Sequence, residues 1–230
     1  MKDFEKVYRE TGPYHHVIGG FSRWWTYDNY RILASWVGKR ESVLDLACGD
    51  GALWPFLETR NIVGLDSAPT GLRHAKTFGA FSLVQADMTA LPFKASVFDT
   101  AVCSLSFQYL VKPDLEKSLA DLQGIVKRDG RLVLSYPNVK PAGPCDGSHA
   151  GLPYQELWDC LRRAGFQLTD IKIVSGRIPN VFFRWSSRPF LKTIAYLYYQ
   201  ISKIVRSGPR RSYHYALCCV NEGPSREGGA

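Results

Sequence analysis

No uninterrupted apolar run in this 230-residue chain approaches the roughly 20 residues that cross a bilayer. The opening residues, Met1-Lys2-Asp3-Phe4-Glu5-Lys6, lack the apolar centre of a signal peptide, so the expected location is cytoplasmic. None of the six cysteines (Cys48, Cys103, Cys145, Cys160, Cys218 and Cys219) forms a C-x-x-C pair, and no histidine cluster accompanies them. A metal site is therefore not expected, and the thiols read as small, reduced, apolar side chains. Acids are missing from one long stretch. Between Asp170 and Glu222 there are none, against nine bases: Lys172, Arg177, Arg184, Arg188, Lys192, Lys203, Arg206, Arg210 and Arg211. Residues 1–170 carry 19 acids and 19 bases, so the net charge of +8 belongs to this segment. Such a local excess means a basic patch or insertion near the C-terminus, not a generally basic protein.

What is present is a globular composition. With 45% hydrophobic and 22% charged residues, the chain is not disordered as a whole, and its length can bury a substantial core without disulfides. From residue 42 onward, short β-like runs alternate with helical stretches. The expected strands are 42–47, 61–66, 81–85, 99–104, 130–136, 166–174 and 213–220. Between the fourth and fifth, Pro113 to Lys127 places Leu115, Leu119, Leu122 and Val126 on one helical face. Tyr154 to Ala164 does the same with Leu157 and Leu161, and Gly165 stops it. Strands alternating with helices imply an α/β fold with a mostly parallel sheet covered on both faces. Ligands of such sheets bind beyond the carboxyl ends of the strands.

The residues just after each strand are informative. The first strand runs into Asp45-Leu46-Ala47-Cys48-Gly49-Asp50-Gly51, where glycines allow the backbone to approach a ligand. Asp66 ends the second strand, 21 residues after Asp45, placed to accept ribose hydroxyls or simply to favour a helix start. Ala86-Asp87-Met88 follows the third strand and adds an acid to the same rim. A nicotinamide dinucleotide fits poorly. Its fingerprint needs a third glycine where Trp54 stands, and Asp50 puts negative charge where a pyrophosphate would sit. An adenosine ligand without phosphates fits better.

Taken together, Val43 to Gly51, Gly64-Leu65-Asp66, Ala86 to Phe93, Phe98-Asp99 and Asp129 to Leu134 resemble the class I S-adenosylmethionine (SAM)-dependent methyltransferases, of the small-molecule branch. The resemblance covers residues 41–138. It implies a Rossmann-like, seven-stranded, mostly parallel sheet and SAM as methyl donor. It also implies that Asp45, Ala47, Gly49 and Gly51 line the methionine part, that Asp66 and Ser67 lie at the ribose, that Asp87 and Met88 lie at the adenine, and that Ser104 passes near the transferable methyl. Two departures stand out. The family's third loop glycine is Leu53, and a His pair common after the fourth strand reads Gln108-Tyr109. The absence of an Asn/Asp-Pro-Pro-Tyr motif there argues against the branches that methylate bases and glutamine amides.

On the acceptor side, residues 1–40 hold many aromatics and are expected to form a helical lid or to pack as an amphipathic helix on the sheet. The candidate catalytic residues are His15, His16 and Tyr109. Two adjacent histidines cannot share one helix face, so one should be exposed and near its ordinary pKa. The expected organisation is a lid over 1–40, a SAM-binding core over 41–175, a basic amphipathic insertion over 176–211, the last strand over 212–221 and a disordered tail over 222–230. Within the insertion, Phe190, Ile194, Leu197, Tyr198, Ile201 and Val205 share a helical stripe that either faces the core or meets a membrane or substrate. The expected activity is methyl transfer to a small molecule, lipid-like or anionic, with peripheral contact to an anionic membrane as a further expectation. Nucleic acid is not the expected partner, because the patch is local and no RNA-binding module accompanies it. An RNA methyltransferase and a non-catalytic SAM-binding subunit remain as alternatives.

Overall fold

Side chains alternate along the central strands between two apolar layers. Leu44, Leu46, Ala101, Cys103, Leu132, Leu134, Leu217 and Cys219 enter one core, while Val43, Val102, Val133, Ala216 and Cys218 enter the other. This is the two-residue period of a strand covered on both faces. The computed structural model describes residues 3–13, 20–39, 41–79, 81–137, 151–176, 191–205 and 212–223.

The strands are β1 (Val43–Leu46), β2 (Ile62–Asp66), β3 (Ser82–Gln85), β4 (Phe98–Ser104), β5 (Val126–Pro137), β6 (Phe166–Gly176) and β7 (Ser212–Asn221). They form one sheet in the order β3-β2-β1-β4-β5-β7-β6, with β7 antiparallel to both its neighbours and the other pairings parallel. The helices are α1 (Phe4–Thr11), α2 (Gly20–Ala34), α3 (Pro69–Ala75), α4 (Lys112–Ile125), α5 (Tyr154–Arg163) and α6 (Lys192–Val205). Helices α4 and α5 cover the first core through Leu115, Leu119, Leu122, Leu157 and Leu161. Tyr30 and Leu33 of α2 and Leu72 and Ala75 of α3 cover the second.

The helix read from Pro113 to Lys127 ends earlier, at Ile125, and Val126 opens β5 instead. The cause is pairing: Val126 stands opposite Phe98 of β4, ahead of the bend where Asp129 takes a positive φ of 61°. Helix α6 presents a different outcome from a plain core helix. Ala195 and Tyr199 are fully buried, whereas the stripe residues Ile194, Leu197 and Ile201 are about half exposed, at 50%, 55% and 54%. Phe190, six of the nine basic residues (Arg177, Arg184, Arg188, Arg206, Arg210 and Arg211), Cys145 and residues 224–230 lie outside the described residues. The five described cysteines are buried free thiols. Among the described residues, no helix is long and apolar enough to cross a membrane, and no group of His, Cys, Asp and Glu could hold a metal ion.

Candidate functional site

A cavity of about 960 Å³ opens beyond the carboxyl ends of β1 to β4 and is walled by α1 and α2. Its size is in the upper part of the small-molecule range. The loop after β1 shapes one side. Ala47, Gly49 and Gly51 take positive φ values of 57°, 55° and 73°. A Cβ on Gly49 would collide with the Tyr8 hydroxyl, which α1 lowers onto the loop. Gly51 is constrained from the opposite side, since a Cβ there would stand 2.9 Å from the Trp54 ring.

Trp54 follows Leu53, where the family's third loop glycine is missing, and packs inside the loop. Its side chain is fully buried and its indole N–H donates to Asp45 at 2.7 Å. The ring fills the space left by Gly51 and Gly64, so the loop keeps its path although its sequence departs from the family pattern. Asp66, at the end of β2, accepts from the Gly49 N–H and from the Ala68 N–H, both at 2.8 Å. It therefore ties the glycine loop to the start of α3. Each carboxylate oxygen keeps a second lone pair for a ligand. Asp87 accepts from the Thr89 N–H and hydroxyl in a tight turn at the rim.

The electrostatics of this side are one-signed. Asp3, Glu5, Asp45, Asp50, Asp66 and Asp87 line the cavity, and no lysine or arginine is among the described lining residues. Burial pushes the Asp45 carboxyl up to about 7, against the lowering effect of the Trp54 hydrogen bond, and the nearby Asp66 and Asp50 raise it further. Asp66 is also raised, chiefly by burial. Glu5 behaves differently. It accepts from the Thr70 hydroxyl at 2.6 Å and the Thr70 N–H at 2.9 Å, and these bonds hold its carboxyl down at about 2. That contact anchors α1 to the first turn of α3. Crowded carboxylates that resist ionisation favour a cationic ligand and disfavour a pyrophosphate.

The side below β4, β5 and β7 is built otherwise. Asn29 of α2 donates to the Ser104 hydroxyl at 3.0 Å, and the Gln108 amide donates to the Leu105 carbonyl at 2.5 Å. Thr26 Oγ1, Asn29 Oδ1 and Gln108 Oε1 are buried without a hydrogen-bond partner among the described residues. All three residues line the cavity and are at most 4% exposed. These oxygens are closed off within the wall, and the uncharged side chains of Thr26, Asn29 and Gln108 give this side a polar but neutral lining. His214 of β7 lies alongside, its ring stacked on Trp25 at 4.5 Å, and burial pushes its pKa down to about 4. Tyr109 meets Phe4 edge-on at 4.9 Å, and burial raises its phenol.

The structure thus gathers Asp45, Ala47, Gly49, Asp66, Ser67, Asp87, Met88, Ser104 and Tyr109 around one cavity. Gly51 is not among the described lining residues; its role is to clear Trp54. His15 and His16 lie outside the described residues. Sequence reasoning did not single out Tyr8, Thr26, Asn29 or His214 as site residues, and it read Gln108 only as a missing histidine. A helical spacing of Trp25, Thr26, Asn29 and Tyr30 was the one signal available for α2. It is indistinguishable from a core face until the helix is docked.

Known proteins share the domain and the fold. Residues 44–134 match the family described as "Methyltransferase domain". The chain is 36% identical over 105 residues to the demethylmenaquinone methyltransferase of Thermus thermophilus, covering 41% of this chain and 47% of that one. It is 30% identical over 137 residues to the ubiquinone/menaquinone biosynthesis C-methyltransferase of Citrobacter koseri, covering 53% of each. The chain spans about half the length of these curated relatives. Its fold is similar to that of the geranyl diphosphate C-methyltransferase of Streptomyces coelicolor, solved with geranyl diphosphate and S-adenosyl-L-homocysteine. The TM-score is 0.61 at 12% identity, over 85% of this chain and 80% of that one, which speaks for the fold alone.

Proposed function

Starting from a methyltransferase domain at residues 44–134, carried on a class I SAM-dependent methyltransferase fold, we propose that this protein transfers a methyl group from SAM to a small, largely apolar acceptor. The observation that carries the reading is the division of the cavity. One side offers the carboxylates of Asp45, Asp50, Asp66 and Asp87 with no lysine or arginine among the described lining residues, and the other is lined by the uncharged side chains of Thr26, Asn29, Ser104 and Gln108.

When bound, SAM supplies an electrophilic methyl group on a positively charged sulfur. Asp45, Asp50 and Asp66 surround its place with negative potential, which suits a ligand with a sulfonium and an ammonium group. Asp66 has lone pairs left for the ribose hydroxyls, the Ala47–Gly49 turn faces the methionine part, and Asp87 and Met88 lie at the adenine. Ser104 lies between the two sides and is itself positioned by Asn29.

For the acceptor, Thr26, Asn29 and Gln108 form a neutral wall against which it is oriented toward the methyl. His214 stays neutral at pH 7, because burial opposes its charging, and adds no positive charge beside a cationic cosubstrate. Its neutral imidazole gives that side a polar edge. The rest of the work is positioning and exclusion of water by α1 and α2. The names of the two curated relatives, both quinone methyltransferases, support an apolar acceptor.

The test is incorporation of label from methyl-labelled SAM into lipid-soluble, water-soluble and RNA fractions of a cell extract. Label in an organic-soluble small molecule is the expected result. Label confined to RNA would replace this reading with an RNA methyltransferase. SAM binding without any transfer would leave a non-catalytic subunit.

A further inference from the structure

Six large hydrophobic side chains are exposed among the described residues, and four of them, Ile194, Tyr196, Leu197 and Ile201, belong to α6. The helix is well fixed on its other side. Ala195 and Tyr199 are fully buried, the Tyr199 hydroxyl donates to Asp28 of α2 at 2.8 Å, and Trp24 meets Tyr196 edge-on at 5.1 Å. The exposed residues are therefore not a frayed end. Ile194, Leu197 and Ile201 follow the i, i+3, i+7 spacing and form one aliphatic line pointing away from the fold.

We propose that this face of α6 is a docking surface for an anionic lipid bilayer. The occupant is chosen by charge. The stretch from Ile171 to Asn221, which contains α6, carries nine bases and no acid. A partner that welcomes both an aliphatic line and a one-signed positive field is a membrane with negatively charged headgroups. A second copy of this chain offers the aliphatic line but carries the same excess of positive charge in the same stretch of sequence. RNA offers the negative charge but has no use for three branched aliphatic side chains.

The placement of α6 adds to the case. It packs against α2 through Trp24 and Asp28, and α2 lines the cavity through Trp25, Thr26, Asn29 and Tyr30. Helix α2 lies between α6 and the cavity. The inference goes beyond methyl transfer and does not depend on it, since the surface exists whatever the cavity binds.

Sedimentation with vesicles tests it, using the full chain without SAM. Vesicles of phosphatidylcholine alone are compared with vesicles holding about one quarter phosphatidylglycerol, at about 0.05 and 0.3 M salt. Wild type should pellet with the anionic vesicles only, and less at high salt. An Ile194→Ser/Leu197→Ser/Ile201→Ser variant, altered only at exposed positions, should bind about tenfold or more weakly while its SAM affinity is unchanged. A separate Arg206→Glu/Arg210→Glu/Arg211→Glu variant should lose binding through charge alone. The proposal fails if wild type stays in the supernatant, or if both variants pellet as wild type does. It also fails if light scattering shows a wild-type dimer that the serine variant dissolves, because the face would then be a contact between copies.

Discussion

The two sides of the cavity are built by different rules. The side beneath β1 to β3 comes from consecutive residues at strand ends, is rich in carboxylates, and is held by backbone N–H groups bonded to Asp66. The side beneath β4, β5 and β7 comes from residues far apart in the chain. Asn29 reaches Ser104 across 75 positions, and His214 joins them from the last strand. The first side is fixed by a local turn and tolerates little change. The second is a meeting of side chains carried on separate rigid elements. That division is what one expects where a common cosubstrate meets a variable acceptor.

The hardest blow to the first side is Gly49→Val. The new side chain meets both a positive φ and the Tyr8 hydroxyl, so SAM affinity should fall more than about 100-fold. Calorimetry checks this, with circular dichroism to show that the helices persist. If Gly49→Val bound SAM normally, the loop would not face the ligand and the assignment of this side would be lost.

Next comes Asp66→Ala, with an expected loss of about 10- to 100-fold in SAM affinity. Because Asp66 also accepts two backbone N–H groups, this variant should melt at a lower temperature as well. Asp66→Asn separates the two roles. It keeps an oxygen for one N–H but loses the negative charge, so it should recover stability more than affinity.

A smaller, pH-dependent effect distinguishes charge from shape. With Asp45 held protonated up to about pH 7, a cationic ligand gains the full attraction only above that value. SAM affinity should rise between pH 6 and 8, by about tenfold or less, and should do so much less in Asp45→Asn. Stability without ligand moves the other way. A carboxyl whose folded pKa is raised binds more protons folded than unfolded, so stability falls as pH rises from about 4 to 7 and then levels off. Asp45→Asn should therefore stabilise the protein more at pH 8 than at pH 5, by about 1–3 kcal/mol at pH 8. His214 has a lowered pKa and contributes the opposite slope, stability being lost as pH falls from 6.5 toward 4. Thermal melts across pH 4 to 8 read both.

The smallest effects belong to the acceptor side. Asn29→Ala or Gln108→Ala reshapes the wall that orients the acceptor, with an expected loss of about 2- to 12-fold in kcat/KM. SAM affinity should stay within about twofold in both. Should either variant weaken SAM as much as Asp66→Ala does, the two sides would be one site and the contrast between them would collapse.

Much of the fold was legible in the chain because the positions of the strands and their burial follow from local pattern. Leu132, Val133 and Leu134 alternate between two cores and read as a buried strand from sequence alone. The turn after β1, Asp66 at the end of β2 and Asp87 after β3 were legible for the same reason. Each lies next to its own strand, and the parallel sheet aligns those ends. The composition also determined the excess of positive charge after Asp170 and the absence of a dinucleotide fingerprint. Tertiary structure alone decided the rest. Whether Trp25, Thr26 and Asn29 face a core or a cavity depends on how α2 docks. Whether Ile194, Leu197 and Ile201 are core or surface depends on which face of α6 Tyr199 and Ala195 occupy. A helix with two apolar faces has no preferred side in isolation. Only the packing of Tyr199 toward Asp28 settles it, and it leaves the other line exposed.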